Sequence, residues 1–189
     1  MPAAAAPLIA RWIDYFKCEF KVAKGRSTKY GDYRHPFRGA GHRISVNYNL
    51  NPYAFLITTV HEFAHLLTWN EYQRKAKPHG QEWKDNFKKM MQPFYEQDIF
   101  PGDVKDAIRN YLQNPAASSC TDMNLFRMLK KYDVQNGTVL VEQLAEGALF
   151  SLKGRIFKKG EQMRKRFRCL EIKTGAIYLF NPLSEVHRE

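Results

Sequence analysis

On an α-helix, residues four apart lie one turn above each other on the same face. The run HEFAH therefore points His61 and His65 the same way, so that both can reach one ion. Glu62 stands beside His61, where it reaches a water held by that ion rather than the ion itself. This is the logic of HExxH: two neutral imidazoles bind zinc, and the carboxylate takes the water's proton. The motif sits inside YAFLITTVHEFAHLLTW, which is otherwise almost wholly apolar. Two histidines and a glutamate are costly to bury in such a helix without partners. The plainer alternative is a pair of hydrogen-bonded core histidines with Glu62 paired to an arginine.

A catalytic zinc usually takes three protein ligands and keeps one position for water. Three residues offer the third ligand. Glu71 lies six residues past His65, but the metalloprotease class with that spacing needs a glycine where this chain has Thr68. Glu82 falls on the following helix, three residues after His79, a spacing equally suited to capping that helix. His79 stands at the helix's N-terminal end, where the positive end of the dipole disfavours an imidazolium and favours the neutral, metal-binding form.

The elements that must position these residues follow from patterning. Ile9, Trp12, Ile13, Phe16 and Phe20 recur at helical spacing, which predicts a first helix from Pro7 to Phe20. A Gly-, Arg- and Tyr-rich stretch follows, with a short strand near Thr28 to Tyr33. Ile44, Val46 and Tyr48 alternate with polar residues, the pattern of a half-buried strand. Lying just before HExxH, that strand is expected to pair with an extended peptide. Asn51-Pro52 reads as a helix start, with Asn as cap and Pro at the first position. The helix it opens is greasy on nearly all sides and is expected to be central and buried. Trp83, Phe87, Met90 and Met91 mark the next helix, expected to end before Pro93, and another runs from Asp103 to Tyr111. Asn114 to Asp122 reads as a linker, with short helices over Met123 to Lys131 and Val139 to Leu144. Ala148 to Phe180 reads as strands joined by hairpins at Lys-Gly and Thr-Gly.

The 189 residues are enough for one good core and a small appendage. A net charge of +11 favours polyanionic partners, nucleic acid first. Cys18, Cys120 and Cys169 are far apart and never form CxxC, which points away from a disulfide framework or zinc ribbon and towards a reducing compartment. The N-terminus lacks the form of a signal peptide, and no run approaches a membrane span. These features predict a soluble cytoplasmic protein with no membrane partner, nucleoid-associated if bacterial.

HEFAHLL followed by HGQEWK resembles the SprT-like zinc metallopeptidase family, which includes the DNA–protein crosslink protease Spartan. Its members carry HExxH on a helix and a third histidine about fifteen residues later, in an H-G-x-x-W/F segment. ISVNYNLNP is similar to the family's strand and helix entry before HExxH, and the resemblance runs from about Ile9 to Phe94. It implies His61, His65 and His79 as ligands of one zinc and Glu62 as catalytic base. It also implies a mostly helical, zincin-like domain with a small antiparallel sheet, and a metalloendopeptidase acting on protein substrates, among them DNA-associated ones. Many relatives continue into a cysteine zinc ribbon, whereas this C-terminal stretch retains only Cys169.

The expected class is thus α+β: a metallopeptidase domain over 1–113, a linker with short helices over 114–146, and a small basic antiparallel β domain over 147–189. That last segment carries Lys153, Arg155, Lys158, Lys159, Arg164, Lys165, Arg166 and Arg168, interleaved with Phe157, Phe167 and Tyr178. The cations give phosphate affinity, and the aromatics are expected to form the small sheet's core. Tyr30, Tyr33, His35, His42 and Tyr72 are all candidates to stabilise a developing oxyanion, and spacing does not choose among them. The alternative reading of the whole is a nucleic-acid-binding protein with a structural or vestigial zinc site.

Overall fold

A computed structural model of the chain describes residues 1–26, 28–115, 122–134 and 136–189. It divides into two compact units, Met1–Asp133 and Val134–Glu189, each with its own apolar cluster. Among the described residues, no helix is long and apolar enough to cross a membrane.

In the first unit, α1 spans Ala6–Tyr15 rather than reaching Phe20. Lys17 takes a left-handed φ of 47°, which ends the helix and turns the chain into β1, Glu19–Ala23. Phe20 still faces the core, stacked 6.3 Å from Phe63, but it does so from a strand. Two elements facing one core thus mimicked a longer helical period. Strands β2 (Gly31–Arg34) and β3 (Arg43–Asn47) follow.

The sheet order is β1-β3-β2, with β1 parallel and β2 antiparallel to β3. The expected antiparallel sheet is therefore mixed, because the chain leaves β1, passes through β2 and returns beside β1 in the original direction. β3 lies in the middle with both edges taken, so it cannot pair with a peptide as the sequence suggested. The edge strands are β1 and β2.

Helix α2, Pro52–Tyr72, begins as its sequence requires: the Asn51 side chain accepts the main-chain N–H groups of Tyr53 and Ala54 at 3.1 and 2.9 Å. The Asn51 amide also donates to the Leu129 carbonyl, tying α5 (Met123–Lys130) to the start of α2. Leu56, Val60, Phe63, Ala64 and Leu66 are fully buried, so α2 is the central helix of the unit. α3 spans Gln81–Glu96 and passes through Pro93 instead of stopping before it. Proline there removes one helical hydrogen bond, but Phe94 is fully buried, edge-on to Trp12 at 5.4 Å, which anchors the last turn. α4 covers Gly102–Gln113. Most of the linker expected from Asn114 to Asp122 lies outside the described residues.

The second unit is one antiparallel sheet in the order β4-β9-β5-β6-β7-β8. Its strands are β4 Thr138–Leu140, β5 Leu149–Leu152, β6 Arg155–Met163, β7 Arg166–Glu171, β8 Ile177–Phe180 and β9 Glu185–Arg188. Lys153 and Gly154 both take positive φ, 51° and 73°, in the two-residue hairpin between β5 and β6. Phe150, Phe157, Cys169, Phe180 and Val186 form the core with Val141 and Leu144. The helix expected over Val139 to Leu144 is instead β4 followed by a single 3-10 turn, Val141–Gln143. Val141 and Leu144, three apart, point into the sheet's core from that turn. The division after Asp133 differs from segmentation at 113 and 146, since α5 is pinned to α2 and β4 pairs with β9.

Candidate metal centre

Two elements bring the three histidines together. His61 and His65 project from one face of α2, and His79 reaches back from the turn before α3. Their Nε2 atoms form a near-equilateral triangle: 3.2 Å from His61 to His65, 3.0 Å from His65 to His79 and 3.2 Å from His79 to His61. Three nitrogens on one face of a tetrahedron around zinc would stand about 3.3 Å apart at ordinary Zn–N bond lengths. The triangle therefore fits such an ion. Among the described residues, these three are the one group of His, Cys, Asp or Glu whose ligand atoms converge.

The electrostatics point the same way. Burial lowers the basicity of all three rings, and for His61 and His65 neighbouring imidazoles lower it further. His65 is held down to about 3. Neutral rings are the form that a cation requires. His79 takes a left-handed φ of 56° in a tight turn where the Gly80 N–H donates to the Lys77 carbonyl at 2.9 Å. Trp83, one turn into α3 and fully buried, lies 4.6, 5.3 and 4.7 Å from the ring centroids of His61, His65 and His79. The indole is thus packed against all three imidazoles and fixes their orientation.

Glu62 lies in the same cleft, a space of about 410 Å³ lined by residues 28–33 together with Thr58 and the three histidines. It is 6% exposed. Burial pushes its carboxyl up to about 8, and Asp32 adds to this, while Arg26, Lys29 and the Tyr33 main-chain N–H favour the carboxylate. A dication among the imidazoles would act in that second direction.

The other ligand candidates are occupied elsewhere. Glu71 accepts the Asn86 amide at 2.8 Å, and Asn86 also donates to Thr68 at 3.1 Å, a link between α2 and α3. Glu82 folds back over Gly80 at the start of α3. Of the oxyanion candidates, Tyr30 and Tyr33 line the cleft. The Tyr33 hydroxyl is 2.9 Å from His42 Nδ1. His35 is stacked on Trp69 at 4.0 Å, and Tyr72 ends α2, 42% exposed.

One residue that organises the cleft had no visible signal in the sequence. Asn47, 1% exposed, donates to the carbonyls of Arg26 and Lys29 at 3.0 and 2.9 Å and accepts Arg26 Nε at 2.8 Å. It folds the cleft's loop onto β3. A second, Gly31, had a weak signal, as a glycine inside the strand expected near Thr28 to Tyr33 often marks a close approach.

The second unit separates its cations. Lys159 is buried, with its ammonium on the carbonyls of Glu142 and Leu144 and 4.1 Å from the Phe167 ring centroid. Arg155 grips Glu171 with two hydrogen bonds of 2.6 and 2.8 Å and lies over Tyr178. These two cations serve the fold. Lys153, Lys158, Arg164, Lys165, Arg166 and Arg168 remain exposed. Of the aromatics, Phe157 is in the core, Phe167 is half-buried and Tyr178 is outside it.

No curated protein and no solved structure matches the chain. A family profile does match, that of the SprT-like family, over residues 13–105, and this family is generally associated with zinc metallopeptidase-like proteins. Across that segment, which holds His61, Glu62, His65 and His79, the chain matches the SprT-like family.

Proposed function

We propose that this chain is a zinc-dependent metalloendopeptidase acting on DNA-associated proteins. The observation that carries this reading is the convergence of three imidazole nitrogens within 3.2 Å, in a cleft that also holds a buried carboxyl group. HExxH on a central helix, beneath a sheet whose edge strand lines the cleft, supports a zincin-like assignment for the first unit. Zinc held by His61, His65 and His79 would polarise the scissile carbonyl and acidify the attacking water. Glu62 accepts that water's proton and passes it to the leaving amine.

Peptide binding falls to β2. The Asn47 N–H donates to the Tyr30 carbonyl, so alternation along the ladder turns the main-chain groups of Gly31 and Tyr33 away from β3. The Tyr33 N–H is taken by Glu62, and an extended substrate pairs with the remaining outward groups of that edge. A structural zinc site is closed by four protein ligands, and three beside an open cleft favour catalysis over a structural or vestigial site. The exposed Lys153, Lys158, Arg164, Lys165, Arg166 and Arg168 of the second unit give contact with DNA phosphates, consistent with a cytoplasmic, nucleoid-associated role in a bacterium.

Glu62→Gln tests the reading. Zinc content should be unchanged, and hydrolysis of an unfolded protein substrate, assayed with and without DNA, should fall by about 10²-fold or more. Undiminished hydrolysis in the variant, or none by the zinc-loaded parent under either condition, would overturn it.

A further inference from the structure

Gly31 is the first residue of β2, paired opposite Val46. Glycine weakens a strand, and its usual compensation is a backbone conformation closed to other residues. That is not the reason here, because Gly31 lies outside the positive-φ glycines of the chain. The reason is space. A Cβ built on Gly31 would meet the side chain of Glu62, with Cγ and Cδ both at 2.8 Å and Oε1 closer still. All three nearest atoms belong to that one side chain. Glu62 has little room to retreat, being 6% exposed and held on β2 by the Tyr33 N–H.

We infer that Gly31 is a positioning residue: its missing side chain forms the recess in which the Glu62 carboxyl is seated beside the three imidazoles. The inference rests on the catalytic role proposed for Glu62, but the packing of Glu62 on Gly31 does not. Any side chain at position 31 displaces the carboxyl, although residue 31 offers nothing to the metal ligands.

A thermal double-mutant cycle on the full zinc-loaded chain tests that packing without any assay of activity. Gly31→Ala should lower Tm by at least about 3 °C in the parent, and by much less in the Glu62→Ala background, where the methyl group has room. An equal drop in both backgrounds overturns the inference, because the glycine would then answer to something other than Glu62. If Gly31→Ala alone fails to fold, recovery of folding in the double variant supports it, and continued failure overturns it.

Kinetics test the consequence. Gly31→Ala should keep one zinc per chain and an unchanged KM, and lose about 10²-fold in kcat. Glu62→Asp, whose carboxyl is drawn back by one methylene, should be much less sensitive to the added methyl. Full kcat in Gly31→Ala overturns the positioning role. A parent that hydrolyses nothing would instead sink the peptidase reading, while the thermal cycle would still decide whether Glu62 packs on Gly31.

Discussion

The indole of Trp83 and the imidazole of His61 lie with ring centroids 4.6 Å apart, inclined by 57°. Trp83 comes as near to His79, at 4.7 Å, so one buried fluorophore borders the whole imidazole triangle. Titration with Co²⁺, a quencher with zinc-like ligand preferences, should reduce tryptophan emission and saturate at one equivalent. Trp83→Phe should remove most of that change. Trp12→Phe should leave it intact, because Trp12 packs instead on Phe63 and Phe94. Quenching that persists in Trp83→Phe would place the metal elsewhere.

The cations of the second unit should separate by role. Reversing Arg164, Lys165 and Arg166 together to Glu should weaken duplex DNA binding and reduce the salt slope by about one for each phosphate that is no longer neutralised. Lys159→Met should leave the salt slope unchanged. It should instead destabilise the second unit by about 1–3 kcal/mol, as it strips a donor from buried carbonyls. Equal losses of DNA affinity from both variants would contradict this division of labour.

Much of the site was legible because its chemistry is local in sequence. HExxH brings His61, His65 and Glu62 to one stretch of helix by helical geometry, and Asn51-Pro52 announces the helix that carries them. His79 was one of three candidates for a third partner, and the structure brings its ring, rather than Glu71 or Glu82, beside the other two. What was hidden depends on how distant segments meet. The strand order put β2 rather than β3 at the sheet's edge, and no pattern within either strand encodes that. Asn47 looks like any strand-end polar residue until the loop carrying Arg26 and Lys29 folds onto it. In the second unit a run of like charges concealed two cations with structural partners, because charge patterning cannot tell a solvated lysine from one capping carbonyls. Val141 and Leu144 are spaced as in a helix but occupy a 3-10 turn, where the same spacing also aims both inward.

Acid should act on the second unit through Glu171. Arg155 foremost, with Thr174, holds this carboxyl down to about 2, below the ordinary glutamate value. A depressed folded-state pKa gives stability that is fully present above about 4.5 and is lost as pH falls towards 2. Carboxyl NMR should therefore show Glu171 titrating well below the ordinary glutamate value in the folded chain. Arg155→Met should move its midpoint up towards the ordinary value. A midpoint near 4.3 in the parent would contradict the ion pair.

The central claim is that three imidazoles close on a single cation, and zinc content measures it most directly. His79→Asn removes one ligand while keeping a residue type that tolerates the left-handed φ of 56°, so the fold should persist by circular dichroism. After parallel dialysis against limiting zinc, the parent should hold one zinc per chain, and the variant less than about a tenth as much, the loss expected when a three-ligand site loses one member. Full occupancy in the variant, or none in the parent, would contradict the account.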